Sequence, residues 1–452
     1  NRSKIPVEIL MDRKGEPFHS KYPGLKKADE ENLTAKSEAL PYNEEVEYTF
    51  TVPRLTESSQ PYWLREGYQN TFKVAQENLI GLPENIPLLK TFIAIKIDQN
   101  VLFLPVAARY RFSDRVEGEI ERPLMAVPEL VAEFSDPNLL FVGDQTRTIN
   151  LKLRAFESGV YRIKLQAGNA QVKPSALELD LKAGEARNLD LAVTSPTERT
   201  QLSVIWQQER KEKKLESLTE IDYPHIDKRM ALKPAKVDLI PVDVQIQGTR
   251  IGYIVGAGDK VREALERMGY TVELLDEASF LNSDLSEYDA IIAGIRAYNT
   301  QAWLPAQHQK LMEYVQQGGN YIVQYNTRSR DLMSAELGPY PFEISRERVT
   351  EEDAKPEFLL ADHPVFNQPN RISQADFKGW VQERGLYFAG EWDERCQAPI
   401  GWHDKGEPRR DGGLIIASYG EGNFVYTGIS FFRELPAGVP GAYRLLANLI
   451  AL

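Results

Sequence analysis

The stretch ADFKGWVQERGLYFAGEWDE, residues 375–394, sets Trp380, Tyr387 and Trp392 among Glu383, Arg384, Glu391 and Asp393. Aromatic faces beside carboxylates and a guanidinium suit sugar rings, which stack on one side and hydrogen-bond around the edge. The bland reading of such a cluster is core or interface. A second group lies after three apolar runs: Arg296, Tyr298 and Asn299 after DAIIAG, Tyr325, Asn326 and Arg328 after NYIVQ, and Arg433 and Glu434 after YTGIS. Guanidinium forks, amides and phenols suit ligands bearing hydroxyls or carboxylates. Here the bland reading is that these groups pair with one another and pin loops.

Activated nucleophiles and metal ligands are not visible. None of the histidines, His19, His225, His308, His363 and His403, has another His or a Cys three to five residues away, the spacing that zinc sites use. His363, in DHPVF, reads as a turn residue ahead of Pro364. Cys396 is the only cysteine, which excludes an internal disulfide and a thiolate cluster. The turn Gly256-Ala257-Gly258-Asp259 has Val261 where a dinucleotide fingerprint wants its third glycine, and Asp276 is the one acid near a ribose position; a plain strand-to-helix turn is expected. Glu383 and Glu391 offer a carboxylate pair, but eight residues of loop fix no separation, and glycoside hydrolysis needs a defined one.

The elements that would carry these residues fall into three blocks. A chain of 452 residues exceeds a single core. Residues 1–123 read as a β-sandwich domain: EEVEYTFTVP (44–53) alternates in the period-2 manner of a half-buried strand, TFIAIKI and LFLPVAARYRF repeat it, and 26–39 reads as a charged loop or short helix. Residues 124–236 read as a second sandwich of the immunoglobulin-like kind, with 222–236 as connector. From 237 to 452 strands alternate with helices, which implies an α/β doubly wound parallel sheet. In KVREALERMGY, Val261, Ala264, Leu265 and Met268 form a helical stripe. Ligands of such sheets sit beyond the carboxyl ends of the strands, where the second group of residues falls.

The net charge of -12 argues against nucleic acid and against anionic membrane surfaces, and no apolar run is long enough to span a bilayer. A start at Asn1-Arg2-Ser3, without Met or a signal-peptide core, suggests a piece of a longer protein.

The block from residue 237 resembles the class I glutamine amidotransferase-like domain, a flavodoxin-like fold whose active members place a nucleophilic cysteine in the turn after a strand like NYIVQYN. Tyr325-Asn326 stands in that turn, and no His-x-Glu pair follows. Neither residue replaces a thiolate at neutral pH, so glutaminase chemistry is not expected. QADFKGWVQERGLYFAGEWDE, GIRAYNT and GGLIIASYGEGNFVYTGISFFRELPAGVPGAYRLLANLI together resemble the carboxy-terminal region of large bacterial PIG-L (LmbE-like) deacetylases, and AGEARNLDLAVTSP resembles the NEW3 type of sandwich. In that layout an amino-terminal zinc-dependent N-deacetylase precedes the sandwiches and a nucleophile-less amidotransferase-like domain.

The resemblance implies an accessory region that recognises glycans or positions substrate for an N-acetyl-sugar deacetylase. Its partners would be its own catalytic domain and a glycan. Zinc would belong to the catalytic domain, since the His-Pro-Asp-Asp type of motif is missing here and His363-Pro364 runs into Val365-Phe366. The layout implies a periplasmic or secreted home, and nothing in the residues argues against the cytoplasm. One rival is a structural scaffold that assembles as a homo-oligomer around a vestigial crevice, and the other is a carboxylate-based hydrolase.

Overall fold

The computed structural model describes residues 2, 4–12, 19–20, 33–49, 55, 57–69, 71–208, 211–327 and 336–452. Val7–Asp12, His19–Ser20, Leu33–Leu40, Lys90–Ile97 and Asn100–Ala107 form one antiparallel sheet. Its buried residues are few: Ile9, Leu10, Met11 and Ala94, of which Leu10 and Ala94 cluster with Phe103 packed against them. Two expectations change here. Residues 33–39 are strand, not loop or helix, because they ladder along Val7–Asp12 (Val7 opposite Leu40), while 26–32 lie outside the described residues. Residues 44–49 form no strand despite their alternation, which sets a strand only where a neighbour receives its edge; residues 50–53 lie outside the described set.

The second block is a sandwich. One sheet orders Leu130–Phe134, Thr146–Ala155, Ala186–Thr194 and Val172–Lys173. The other orders Asn138–Val142, Lys236–Val242, Thr200–Gln208, Gly159–Gln166 and Ala176–Leu181, with Lys211–Lys214 added to Thr200–Gln208. Alternate residues point inward, Ile149, Leu151 and Leu153 from one sheet meeting Tyr161, Ile163 and Leu165 from the other in a single core. Lys236–Val242, which the sequence places at the start of the third block, pairs parallel to Asn138–Val142 and antiparallel to Thr200–Gln208. A continuous apolar run does not announce which sheet will take it. The stretch 222–236 is likewise no simple connector, since Arg229–Pro234 forms a hairpin with Glu216–Ile221.

In the third block we label the strands of the main sheet β1 (Arg250–Ile254), β2 (Thr271–Leu274), β3 (Ala290–Ala293), β4 (Asn320–Gln324), β5 (Leu414–Tyr419) and β6 (Gly422–Thr427). Their order is β2-β1-β3-β4-β6-β5, with every pairing parallel except that of β5 and β6. We label the helices against the sheet and at the strand ends α1 (Val261–Met268), α2 (Glu277–Asn282), α3 (Ala297–Thr300), α4 (His308–Gln316), α5 (Phe431–Glu434) and α6 (Pro440–Ile450), and a further short helix spans Pro364–Asn367. Both sheet faces are covered. Ile251, Tyr253, Ile292, Ile322 and Val425 pack with α1 and α6, and Ile254, Ile291, Ala293, Tyr321 and Val323 pack with α2 and α4. Each aliphatic side chain so buried contributes about 1.5–3 kcal/mol.

Local signals place these helices. Val261, Ala264, Leu265 and Met268 are the buried face of α1, and Gly269 ends it at φ 110, a conformation only glycine adopts at ease. Asp276 caps α2, accepting from Ser279 N at 2.8 Å. Between β4 and β5 the chain makes a long excursion built on short ladders, among them Phe342–Ile344 with Ala389–Trp392 and Arg348–Val349 with Gly385–Leu386. That excursion carries the aromatic–acidic stretch back over the carboxyl ends of the sheet.

Candidate functional site

Three loops meet at the end of β3, β4 and β6. After β3, Arg296 takes a left-handed φ of 57 and its N–H donates to Tyr325 O at 2.8 Å, which ties the β3 loop to the β4 loop. The neighbouring β1 loop is packed against the same turn: Ala257 N donates to Ile295 O at 2.8 Å, and a Cβ on Gly256 would stand 1.9 Å from that carbonyl. Asp259, the acid of the Gly-Ala-Gly-Asp turn, accepts from Tyr253 Oη at 2.7 Å and from Val261 N at 2.9 Å. That turn is filled by its own chain.

Tyr325 lies at this strand-end site with its ring buried, 8% exposed. Tyr387 lies parallel to it, centroids 5.7 Å apart and planes 11° apart, and Phe432 leans on it at 5.3 Å. Arg433 lies over Phe432 and donates from Nε to Glu383 Oε1 at 2.7 Å, with Gln382 as a further acceptor. Burial pushes the Tyr325 phenol above its ordinary pKa, while the charges of Arg296 and Arg433 oppose that shift. Among the described residues, five other than glycine have positive φ, and Arg296, Gln382 and Tyr387 are three of them. Left-handed backbone costs roughly 1–2 kcal/mol per L-residue, and such strain concentrates at functional sites.

The remaining sequence candidates are placed otherwise. Tyr298 is buried, bonded to Tyr321 Oη at 2.9 Å, and its phenol is raised by burial. Asn326 is fully buried, accepting from Tyr298 N at 3.0 Å and donating to Gln324 O at 2.9 Å. Asn299 exchanges two bonds with the Thr327 backbone and pins the loop. Trp380 is 3% exposed, stacked on Phe377 at 5.2 Å, with its Nε1 donating to Asp376 O; it offers no face to a ligand. Arg384 is buried beside it, bonded to Ala354 O and Phe377 O, and burial lowers its pKa to about 10. Trp392 sits partly buried opposite Phe342, packed on the α4 side of the core. Glu434 is fully buried, accepts from Val381 N at 3.0 Å, and is pushed up to about 8 by burial. Arg328 lies outside the described residues. The aromatic–acidic stretch therefore divides, with Trp380 and Arg384 turned into the core and Glu383 and Tyr387 turned to the crevice. Composition cannot show that division. Phe432 and Gln382 were not singled out from the sequence; Phe432 had a signal, since it adjoins Arg433 at the same strand end.

No family model and no curated protein matches the chain. Among solved structures it is similar to WR4, an MSP family member of C. elegans, at 11% identity over 25% of this chain and 97% of that one, with a TM-score of 0.16. A FixG-related protein from Vibrio parahaemolyticus shares 12% over 24% and 98%, TM-score 0.17. A family 123 glycoside hydrolase from Clostridium perfringens shares 9% over 48% and 42%, TM-score 0.16. Scores of that size carry no argument about fold or activity.

The chemistry open to the crevice follows from its groups. The Cys396 thiol is buried and raised to about 11, chiefly by burial, so it is protonated at neutral pH. His363 accepts from Val365 N at 3.1 Å and caps a short turn of helix. Among the described residues no group of three His, Cys, Asp or Glu is placed to hold a metal ion, and no helix is long and apolar enough to cross a membrane. The half-buried groups at this site, Arg296 and Tyr387, can donate and stack.

Proposed function

We propose that this chain is a recognition region that binds glycan or positions it for a separate catalytic domain, and does no bond chemistry itself. On this reading the third block is a flavodoxin-like, class I glutamine amidotransferase-like domain. The position of its nucleophile is taken by Tyr325, buried against Tyr387 and Phe432, and Asn326, whose amide is spent inside the protein. The resemblance to the carboxy-terminal region of PIG-L (LmbE-like) deacetylases supplies the substrate class, N-acetyl sugars, and the partner, a deacetylase domain that would hold the zinc. The donor set here does not fit zinc, and no step is assigned to it. The same resemblance supports a NEW3-like middle sandwich and a periplasmic or secreted home.

The observation that carries this reading is the half-buried Tyr387 ring, stacked on the buried Tyr325 near the charges of Arg296 and Arg433. An aromatic ring with cationic neighbours matches how saccharides are held. Screening the whole chain on a glycan array tests it. Binding to a defined saccharide class, lost in Tyr387→Ala and kept in Tyr387→Phe, is the expected result. A flat response across the array would sink the proposal. So would turnover of an amide or glycoside that falls when Arg433 or Glu383 is truncated.

A further inference from the structure

Among the described residues, three arginines bury an Nε that has no hydrogen-bond partner: Arg229, Arg296 and Arg444. Two of them are charge-paired, Arg444 with Asp376 at 3.1 Å and Arg229 with Glu84. Arg296 has no carboxylate within ion-pair distance among the described residues. Arg433, the other arginine whose charge acts on Tyr325, is neutralised by Glu383. On the β1 side Asp259 is engaged by Tyr253 and Val261. Among the described residues the site thus holds one guanidinium, that of Arg296, that no carboxylate answers. Arg296 is half-buried as a residue, and its backbone is held at positive φ. A partly desolvated, unpaired charge on a strained residue costs free energy that an incoming anion offsets.

We propose that the ligand of this strand-end site is an anionic sugar, gripped by Arg296 through its charged substituent while its ring rests on the half-buried Tyr387. The inference rests on the glycan reading above and narrows it. The planar fork of Arg296 fits a carboxylate or a sulfate ester in the same way, through paired N–H donors. Neutral sugars would leave the charge unanswered.

The test titrates the whole chain with matched oligosaccharides: one containing a uronate, its carboxyl-reduced counterpart, and a sulfated counterpart of the same backbone. Expected is binding of the uronate or the sulfated form, weakening as salt rises, with the reduced form weaker by about tenfold or more. A response to the uronate alone identifies a carboxylate ligand and a response to the sulfated form alone an ester; both support the proposal. Arg296→Gln should erase the preference, and Arg296→Lys should keep part of it. Equal binding of charged and neutral forms overturns the charge inference and leaves glycan recognition standing. A preference that survives in a folded Arg296→Gln chain also overturns it. Binding of none overturns both. The matched set on the unaltered chain decides the matter even where a variant fails to fold.

Discussion

Glu434 has no exposed surface and sits beneath the crevice, its carboxyl held against Val381 N and the Ser430 hydroxyl. Burial raises its pKa from 4.5 to about 8. Between those values the folded chain keeps a proton that the unfolded chain has released, so stability falls as pH rises through the window. For one group the slope is about 1.4 kcal/mol per pH unit. Glu434→Gln should therefore match the parent below pH 4.5 and melt progressively higher than it as pH approaches 8, in thermal melts run across that range. A gap of constant size at every pH would show that the carboxyl is not titrating there. Cys396 gives a second check at this scale. With the thiol raised to about 11 by burial, alkylation of the native chain near neutral pH should run about a hundredfold slower than in denaturant. Rapid labelling of the folded protein would mean that the pocket around Cys396 opens.

The crevice depends on how closely the strand-end loops pack, and glycine decides that at one point. Gly256 faces Ile295 O at a distance where a methyl cannot fit, and backbone on both sides leaves little to yield. Gly256→Ala should cost about 1–3 kcal/mol in denaturant unfolding and, by moving Ile295 and Arg296, weaken saccharide binding in the same variant. Loss of stability with unchanged binding would separate the β1 loop from the site. Elements of this kind were readable from the residues: the α1 stripe and the strand ends bearing Arg296, Tyr325 and Arg433 follow from local period. The side-chain fates within 375–394 were not. Trp380 and Arg384 turn inward because the carbonyls of Asp376, Phe377 and Ala354 are there to satisfy their polar ends, and those carbonyls are brought together by tertiary folding. The alternation of 44–49 failed for a related reason, since period marks a face and not the neighbour that covers it.

At the scale of the whole molecule, the sandwich and the third block share a core. Leu140, Ile240 and Val242 of the sandwich belong to the same buried cluster as Leu265 of α1 and Leu446 of α6. Polar contacts run beside it: Asn138 Nδ2 donates to Pro436 O, Arg147 Nη2 donates to Arg267 O at 3.0 Å, and Arg267 pairs with Asp136 at 3.3 Å. A continuous apolar contact couples the stability of its two sides, because exposing either one exposes the other. The first sheet has no comparable store among the described residues, where its buried cluster is Leu10 and Ala94. Calorimetry should therefore show the sandwich and the third block melting in one transition, with the first sheet lost earlier. Ile240→Ala opens a cavity at the shared core and should cost about 2–5 kcal/mol. It should move the whole main transition and leave the early one where it was. If the main transition instead splits, and only one half shifts with Ile240→Ala, the sandwich and the third block fold independently. The loops at the crevice would then owe their positions to the third block alone.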